Sequence, residues 1–309
     1  MYRISIHPGD VLERAGGIDE GFALLARCGI EGVQFGMSYF FMKPDVVRAN
    51  APSVMDEPLE VILEALRPYK EAAKRHGVAI SQVHAPFPTW MLGNDTLNRR
   101  MPAVLLKSIA ATEYMESPHI IIHPAFCARN QDRWMPEQEW ELNRNIYTAL
   151  IPALREHHVM CLLENMFNRD VEGTRYAAAC TDFHEAAEWV DQLNDIAGEE
   201  LFGFCLDTGL CQLARQNLHR AVHIMGHRIK ALHMQENNGH LDDHRAPFTG
   251  TTNWELFLDA LKEIHYRGDL NFEATNGINL YPKALTEAAV TMQVQIGRYF
   301  RKRLTENAE

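Results

Sequence analysis

Short apolar runs alternate with longer stretches in which apolar residues recur every three or four positions, from one end of the chain to the other. The short runs predict strands at residues 2–7, 32–36, 79–84, 119–123, 160–164, 202–207, 229–233 and 270–273. The longer stretches predict helices at 18–27, 58–76, 101–115, 137–158, 182–193, 218–225, 254–264 and 283–303. Strands and helices in strict alternation specify a parallel sheet with crossover helices, and this count specifies a (β/α)8 TIM barrel, read here as a single domain over residues 1–309. Local chemistry marks the boundaries. Gly29, Gly77 and Gly268 each stand between a helix and the next strand, where a left-handed cap is expected. Thr252 with Glu255 reads as a capping box, Asp182 with Glu185 as its Asp variant, and Pro282 precedes the last helix. In that helix Leu285, Ala289, Met292, Ile296 and Tyr299 form one stripe, expected to lie on the barrel.

Six of the apolar runs end in a residue that can bind a metal: His84, His123, Glu164, Asp207, His233 and Glu273. In a barrel the C-terminal strand ends share one mouth, so these residues would ring it. Burying so many carboxylates and imidazoles without a cation would leave charges uncompensated, at a cost of about several kcal/mol each. A mixed carboxylate and imidazole set suits Mn2+, Zn2+, Co2+ or Fe2+ better than a Cys-rich structural zinc site does. Asp242 and His244 follow in the loop after the seventh strand, where they would orient His233 or contact substrate. The loops at the same end are rich in aromatics, among them Phe87, Trp90, Trp134 and Phe167, which suggests a roomy and partly apolar substrate pocket.

Composition narrows the function classes. A formal net charge of −11 argues against broad engagement of nucleic acid or an anionic membrane. No apolar stretch approaches the roughly 20 residues a bilayer span needs, and no signal-peptide pattern opens the chain, so a cytoplasmic location is expected. The six cysteines are scattered without metal spacing and read as reduced core thiols.

The segments Gln82-Val83-His84-Ala85-Pro86, Ile121-Ile122-His123-Pro124, Leu163-Glu164-Asn165, Leu206-Asp207-Thr208-Gly209, Leu232-His233, Asn238-Gly239, Asp242-Asp243-His244 and Phe272-Glu273 follow one another in a familiar order. Together they resemble the xylose-isomerase-like TIM-barrel superfamily, which holds sugar phosphate isomerases and epimerases, tagatose 3-epimerase-like enzymes and, more distantly, endonuclease IV. The resemblance covers nearly the whole chain. It implies one divalent metal, commonly Mn2+, on Glu164, Asp207, His233 and Glu273, with Glu164 and Glu273 also serving as catalytic carboxylates. It implies a sugar or glycoside as substrate, and His84, His123, Asp242 and His244 as substrate contacts or ligands of a second metal. The nuclease branch carries a further histidine where this chain has Leu210. That departure, with the acidic charge, weakens the phosphodiesterase reading. The expected activity is proton transfer beside a sugar carbonyl through an enediolate. A lyase acting on a 3-keto glycoside is the alternative, and a non-catalytic binding barrel is left open by fold alone. The chain would act as a homo-oligomer or beside another subunit.

Overall fold

The computed structural model describes residues 2–126, 136–169 and 175–306. Every expected strand forms: β1 (Ile4–Ile6), β2 (Gly32–Gly36), β3 (Ala79–His84), β4 (His119–Ile121), β5 (Met160–Glu164), β8 (Phe202–Asp207), β9 (Ile229–His233) and β10 (Leu270–Phe272). Two short strands, β6 (Phe167–Arg169) and β7 (Arg175–Ala177), make an antiparallel hairpin that the apolar pattern does not announce. The eight others form one sheet in the order β10-β1-β2-β3-β4-β5-β8-β9. A parallel bridge between Met234 and Phe272 joins the residue after β9 to β10, and the fold is the TIM barrel the sequence predicts. Among the described residues no helix is long and apolar enough to cross a membrane.

The chain divides into two compact units, residues 1–35, 68–81 and 206–309 in one, residues 36–67 and 82–205 in the other. In the first, β1 lies between β10 and β2, with Ile6 opposite both Phe272 and Val33. In the second, β5 lies between β4 and β8, with Cys161 opposite both Ile120 and Phe202. Such strands are covered on both faces, which is why they read as unbroken apolar runs rather than alternating ones. Cys28, Cys161, Cys180, Cys205 and Cys211 are buried free thiols. Burial pushes the Cys161 and Cys211 thiols well above their ordinary range, so they stay protonated and inert.

The expected helix 137–158 is two helices, Pro136–Thr148 and Ile151–Glu156, the second with Pro152 in its first turn, and the expected helix 101–115 already begins at Asp95, capped by Asn94. The residues that mark the boundaries need three corrections. Gly29 (φ +96°) and Gly77 (φ +67°) are left-handed as expected, and the Asp182 side chain accepts from His184 N and Glu185 N. Gly268 serves another purpose. Its φ is not positive; a Cβ there would stand 2.2 Å from the Tyr266 hydroxyl and 2.7 Å from the Lys230 carbonyl oxygen, so glycine is needed for close approach. Asn253, not Thr252, caps the helix Trp254–Glu263, its side chain accepting from Leu256 N, while the Thr252 N–H donates to Glu236 at 2.6 Å. The last helix, Thr286–Thr305, is turned from its expected setting. Its packed side is Val290, Gln293, Val294, Gly297, Phe300 and Leu304. Gly297 lets the helix close on Ile4, and Phe300 stacks on Trp254 and Phe272. Leu285, Met292 and Tyr299 are exposed, and only Ala289 of the expected stripe is buried.

Candidate active site

The first unit brings Asp207, His233 and Glu273 to the ends of β8, β9 and β10, with Asp207 and His233 fully buried. Each carboxylate is aimed by neutral N–H donors. Asp207 Oδ1 accepts from Leu210 N at 2.6 Å, which also caps the short helix Thr208–Leu213. The Gln235 amide donates to Asp207 Oδ1 and Oδ2 at 3.2 and 3.4 Å, and to Asp242 Oδ1 at 3.2 Å. Glu273 Oε1 accepts from Gln34 Nε2 at 3.1 Å, and Gln34 is itself fixed by Asn271 Nδ2 at 2.7 Å. His233 Nδ1 lies 3.0 Å from Glu273 Oε2.

The bonds of Asp242 and His244 run to this network. His244 Nε2 stands 3.5 Å from Asp242 Oδ1, and Nδ1 donates to the Glu273 carbonyl at 2.8 Å. Burial draws the His244 imidazolium down, but the hydrogen bond to Asp242 and the charges of Asp242, Glu273 and Asp207 outweigh it, and its pKa is pushed up to about 10. The loop bearing both residues is anchored by Glu236, a buried carboxylate that accepts from Thr249 N, Thr252 N and Trp254 Nε1 at 3.1, 2.6 and 3.1 Å. Glu236 also exchanges both backbone bonds with Arg245, at 2.8 and 2.9 Å.

In the second unit His84, His123 and Glu164 meet. His84 Nε2 is 2.9 Å from His123 Nε2, and Glu164 Oε2 is 3.1 Å from His123 Nε2 and 3.6 Å from His84 Nε2. His84 Nδ1 donates to the Ala85 carbonyl at 2.8 Å, so Nε2 is the nitrogen that faces His123 and Glu164. Beside His123 lies a cavity of about 420 Å3, with Phe87, Trp90, Met91, Leu92 and Phe126 in its walls and Arg48 at its edge. Phe87 and Trp90, two of the four loop aromatics singled out in the sequence, line this cavity. Phe167 does not line this cavity; its ring carries the Arg169 guanidinium at 5.7 Å, while its neighbours Met166 and Asn168 supply the wall. Trp134 falls outside the described residues.

Both groups have the donor chemistry of a metal centre. Asp207, His233 and Glu273 supply two carboxylates and an imidazole, and 3.0 Å between His233 Nδ1 and Glu273 Oε2 is close to the roughly 3 Å that separates neighbouring ligands on an ion with bonds of about 2.1 Å. His84, His123 and Glu164 bring their ligand atoms within 4.8 Å of one another. Sequence reasoning missed Gln34, Gln235, Glu236 and Asn271, all fully buried polar residues within or just beyond strands. A polar side chain inside an apolar run was the signal for Gln34 and Asn271, whereas Gln235 and Glu236 stand in a polar stretch after β9 that carries no such mark.

Among curated proteins, an uncharacterized protein of Methanocaldococcus jannaschii is 22% identical over 262 residues, which is 79% of this chain and 84% of that one. Solved structures share the fold. A D-tagatose 3-epimerase-like protein superposes with a TM-score of 0.70 at 17% identity over 98% of both chains. A putative xylose isomerase from Rhodospirillum rubrum gives 0.73 at 15% identity, covering 97% of this chain and 99% of the other. A 3-keto-D-glucoside 4-epimerase from E. coli gives 0.68 at 12% identity, covering 96% and 99%. The model of one family matches residues 22–292. With its strand order and its polar strand ends accounted for, this chain belongs to the xylose isomerase-like TIM-barrel family.

Proposed function

We propose that the protein is a divalent-metal-dependent sugar isomerase or epimerase that moves a proton at a carbon beside a carbonyl. The observation that carries this reading is the aimed carboxylate and imidazole set: Asp207 fixed by Leu210 and Gln235, Glu273 held between Gln34 and His233. Such preorganisation fixes the direction in which each group presents its donor atom. Catalytic residues of TIM barrels gather at the C-terminal strand ends, and on that ground Glu164 joins Asp207, His233 and Glu273 as the fourth ligand. The metal, Mn2+ in first place with Zn2+, Co2+ or Fe2+ as alternatives, would supply Lewis acidity toward the carbonyl and the adjacent hydroxyl oxygen.

The residues themselves do the proton work. Glu164 takes the proton from the carbon on one face of the sugar, leaving an enediolate, and Glu273 returns one on the other face, which inverts that carbon. Return to the neighbouring carbon gives aldose–ketose isomerisation instead. His84 and His123 hold sugar hydroxyls through their Nε2 atoms. Asp242 and His244 fix Glu273 through its backbone. The similar epimerases are named for D-tagatose and a 3-keto-D-glucoside, and both sugars carry a carbonyl beside a C–H of the kind this chemistry needs.

Incubation with keto sugars in deuterium oxide tests the proposal. Deuterium is expected at the carbon next to the carbonyl, read by NMR and mass; turnover of a sugar with no label at any carbon would rule out proton transfer. The cavity beside His123 favours a second reading. Its aromatic wall suits a flat apolar substituent, and the same abstraction beside a 3-keto group would expel it, making the enzyme a lyase. Release of a phenol from an aryl 3-keto glycoside separates that outcome from epimerisation.

A further inference from the structure

Away from these strand ends, the first unit holds a third gathering of metal-binding side chains. His219 and His223 are four residues apart on the helix Leu218–Met225, so they lie on one face of it, one turn from each other. Their rings stand 4.6 Å apart between centroids, and His223 Nε2 is 3.0 Å from Glu263 Oε2 at the end of the helix Trp254–Glu263. The three ligand atoms lie within 4.8 Å of one another. We propose that His219, His223 and Glu263 form a surface binding site for a divalent transition ion of the Zn2+, Ni2+ or Cu2+ class, which staples the two helices together.

Several observations support this beyond a simple ion pair. An exposed His–Glu pair alone contributes little, and His219 would add nothing to it, whereas a metal uses all three groups. Imidazoles at positions i and i+4 of a helix present two nitrogens to one ion, the spacing that zinc-binding helices use. A tetrahedral ion with bonds of about 2.0–2.1 Å places its ligands roughly 3.3 Å apart, so the His223–Glu263 spacing already fits and His219 needs only a rotation of its side chain. The helix is seated for this, because Asn217 caps its first turn by accepting from Arg220 N at 2.9 Å. His219 also lines a cavity of about 340 Å3 with Gln212, Gln216, Asn217, Thr251, Leu256 and Phe257. Three protein ligands leave a fourth position for water, so the ion is exchangeable rather than permanent. Imidazole donors exclude Mg2+ and Ca2+ as occupants.

The test titrates Cu2+ into the purified protein with its resident metal retained, and compares wild type with His219→Ala/His223→Ala and with Glu263→Gln. All three side chains are partly or fully exposed, so the variants should fold, and circular dichroism checks that they do. Wild type is expected to take up one equivalent more than the double variant, with nitrogen hyperfine lines of two imidazoles in its electron paramagnetic resonance spectrum. Glu263→Gln should weaken that equivalent by at least about tenfold, the loss that removing even an indirect partner of a metal ligand brings. Zn2+ should raise the melting temperature of wild type and leave that of the double variant unchanged. Equal uptake by wild type and double variant, or a wild-type spectrum showing a single imidazole, would overturn the proposal.

Discussion

Asp207 and Glu273 are aimed by amides, whereas His84 and His123 meet each other. Gln235, Gln34 and the Leu210 backbone donate to the first pair. These donors carry no charge and cannot lose a proton near neutral pH, so the direction they impose on each carboxylate does not change there. The two histidines are different. Their Nε2 atoms stand 2.9 Å apart with Glu164 Oε2 beside them, so each ring is met by other titratable side chains and not by amides. The difference teaches that polar strand ends are held in two ways: a fixed side, where amides aim Asp207 and Glu273, and an adaptable side, where His84, His123 and Glu164 meet one another.

The largest effect expected from breaking this contrast is on the fixed side. Glu273→Gln keeps the size of the side chain but removes its charge, and should lower turnover by about 10²–10⁴-fold while circular dichroism stays unchanged. Metal content after dialysis against a chelator should fall as well, and wild-type activity and metal content would remove Glu273 from the site. On the adaptable side, His84→Asn with His123→Asn should raise KM for the sugar by about tenfold or more, the loss expected for hydrogen bonds to a charged or polarised partner. Metal per chain should stay at one. A drop by one ion in that variant would instead assign the pair to a second metal.

The smallest effect concerns His244. Its pKa is pushed from 6.5 up to about 10 in the folded chain. Because the folded value is the higher one, the stability contributed by the protonated ring is complete below about pH 6.5 and is lost as pH rises through about 10. In metal-free protein the melting temperature should therefore fall across that window, and Asp242→Asn should flatten the fall. Added Mn2+ should lower the His244 pKa, since Asp207 and Glu273 would then face the cation; an NMR titration of the imidazole that is indifferent to metal would separate His244 from the ligand set.

How far the sequence carries follows from the same physics. Strands such as Met160–Glu164 and Phe202–Asp207 are legible because both faces are covered, leaving unbroken apolar runs whose terminal carboxylate stands out. Gln235 is harder to read. It follows β9 by two residues and looks like any loop polar residue until the fold folds it back on Asp207. The last helix misleads for a related reason: Gln293 and Gly297 lie on its packed side, chosen for a hydrogen bond to the Ala274 carbonyl and for contact with Ile4, so the greasier stripe through Leu285 and Met292 is the outward one. The β6–β7 hairpin pairs three residues with three, too short for an alternating pattern to register.

Glu236 gives the barrel room to change its trade. By gripping Thr249, Thr252 and Trp254 with one carboxylate, it pins the far root of the loop after β9 and, with Asp242 and His244 tied to the strand ends, leaves residues 238–241 as a tip between fixed posts. Substitutions, or a change of length, in that tip should leave His233 at the strand end and the helix that follows in place. A laboratory selecting new substrates should randomise that tip and spare Glu236, Asp242 and His244.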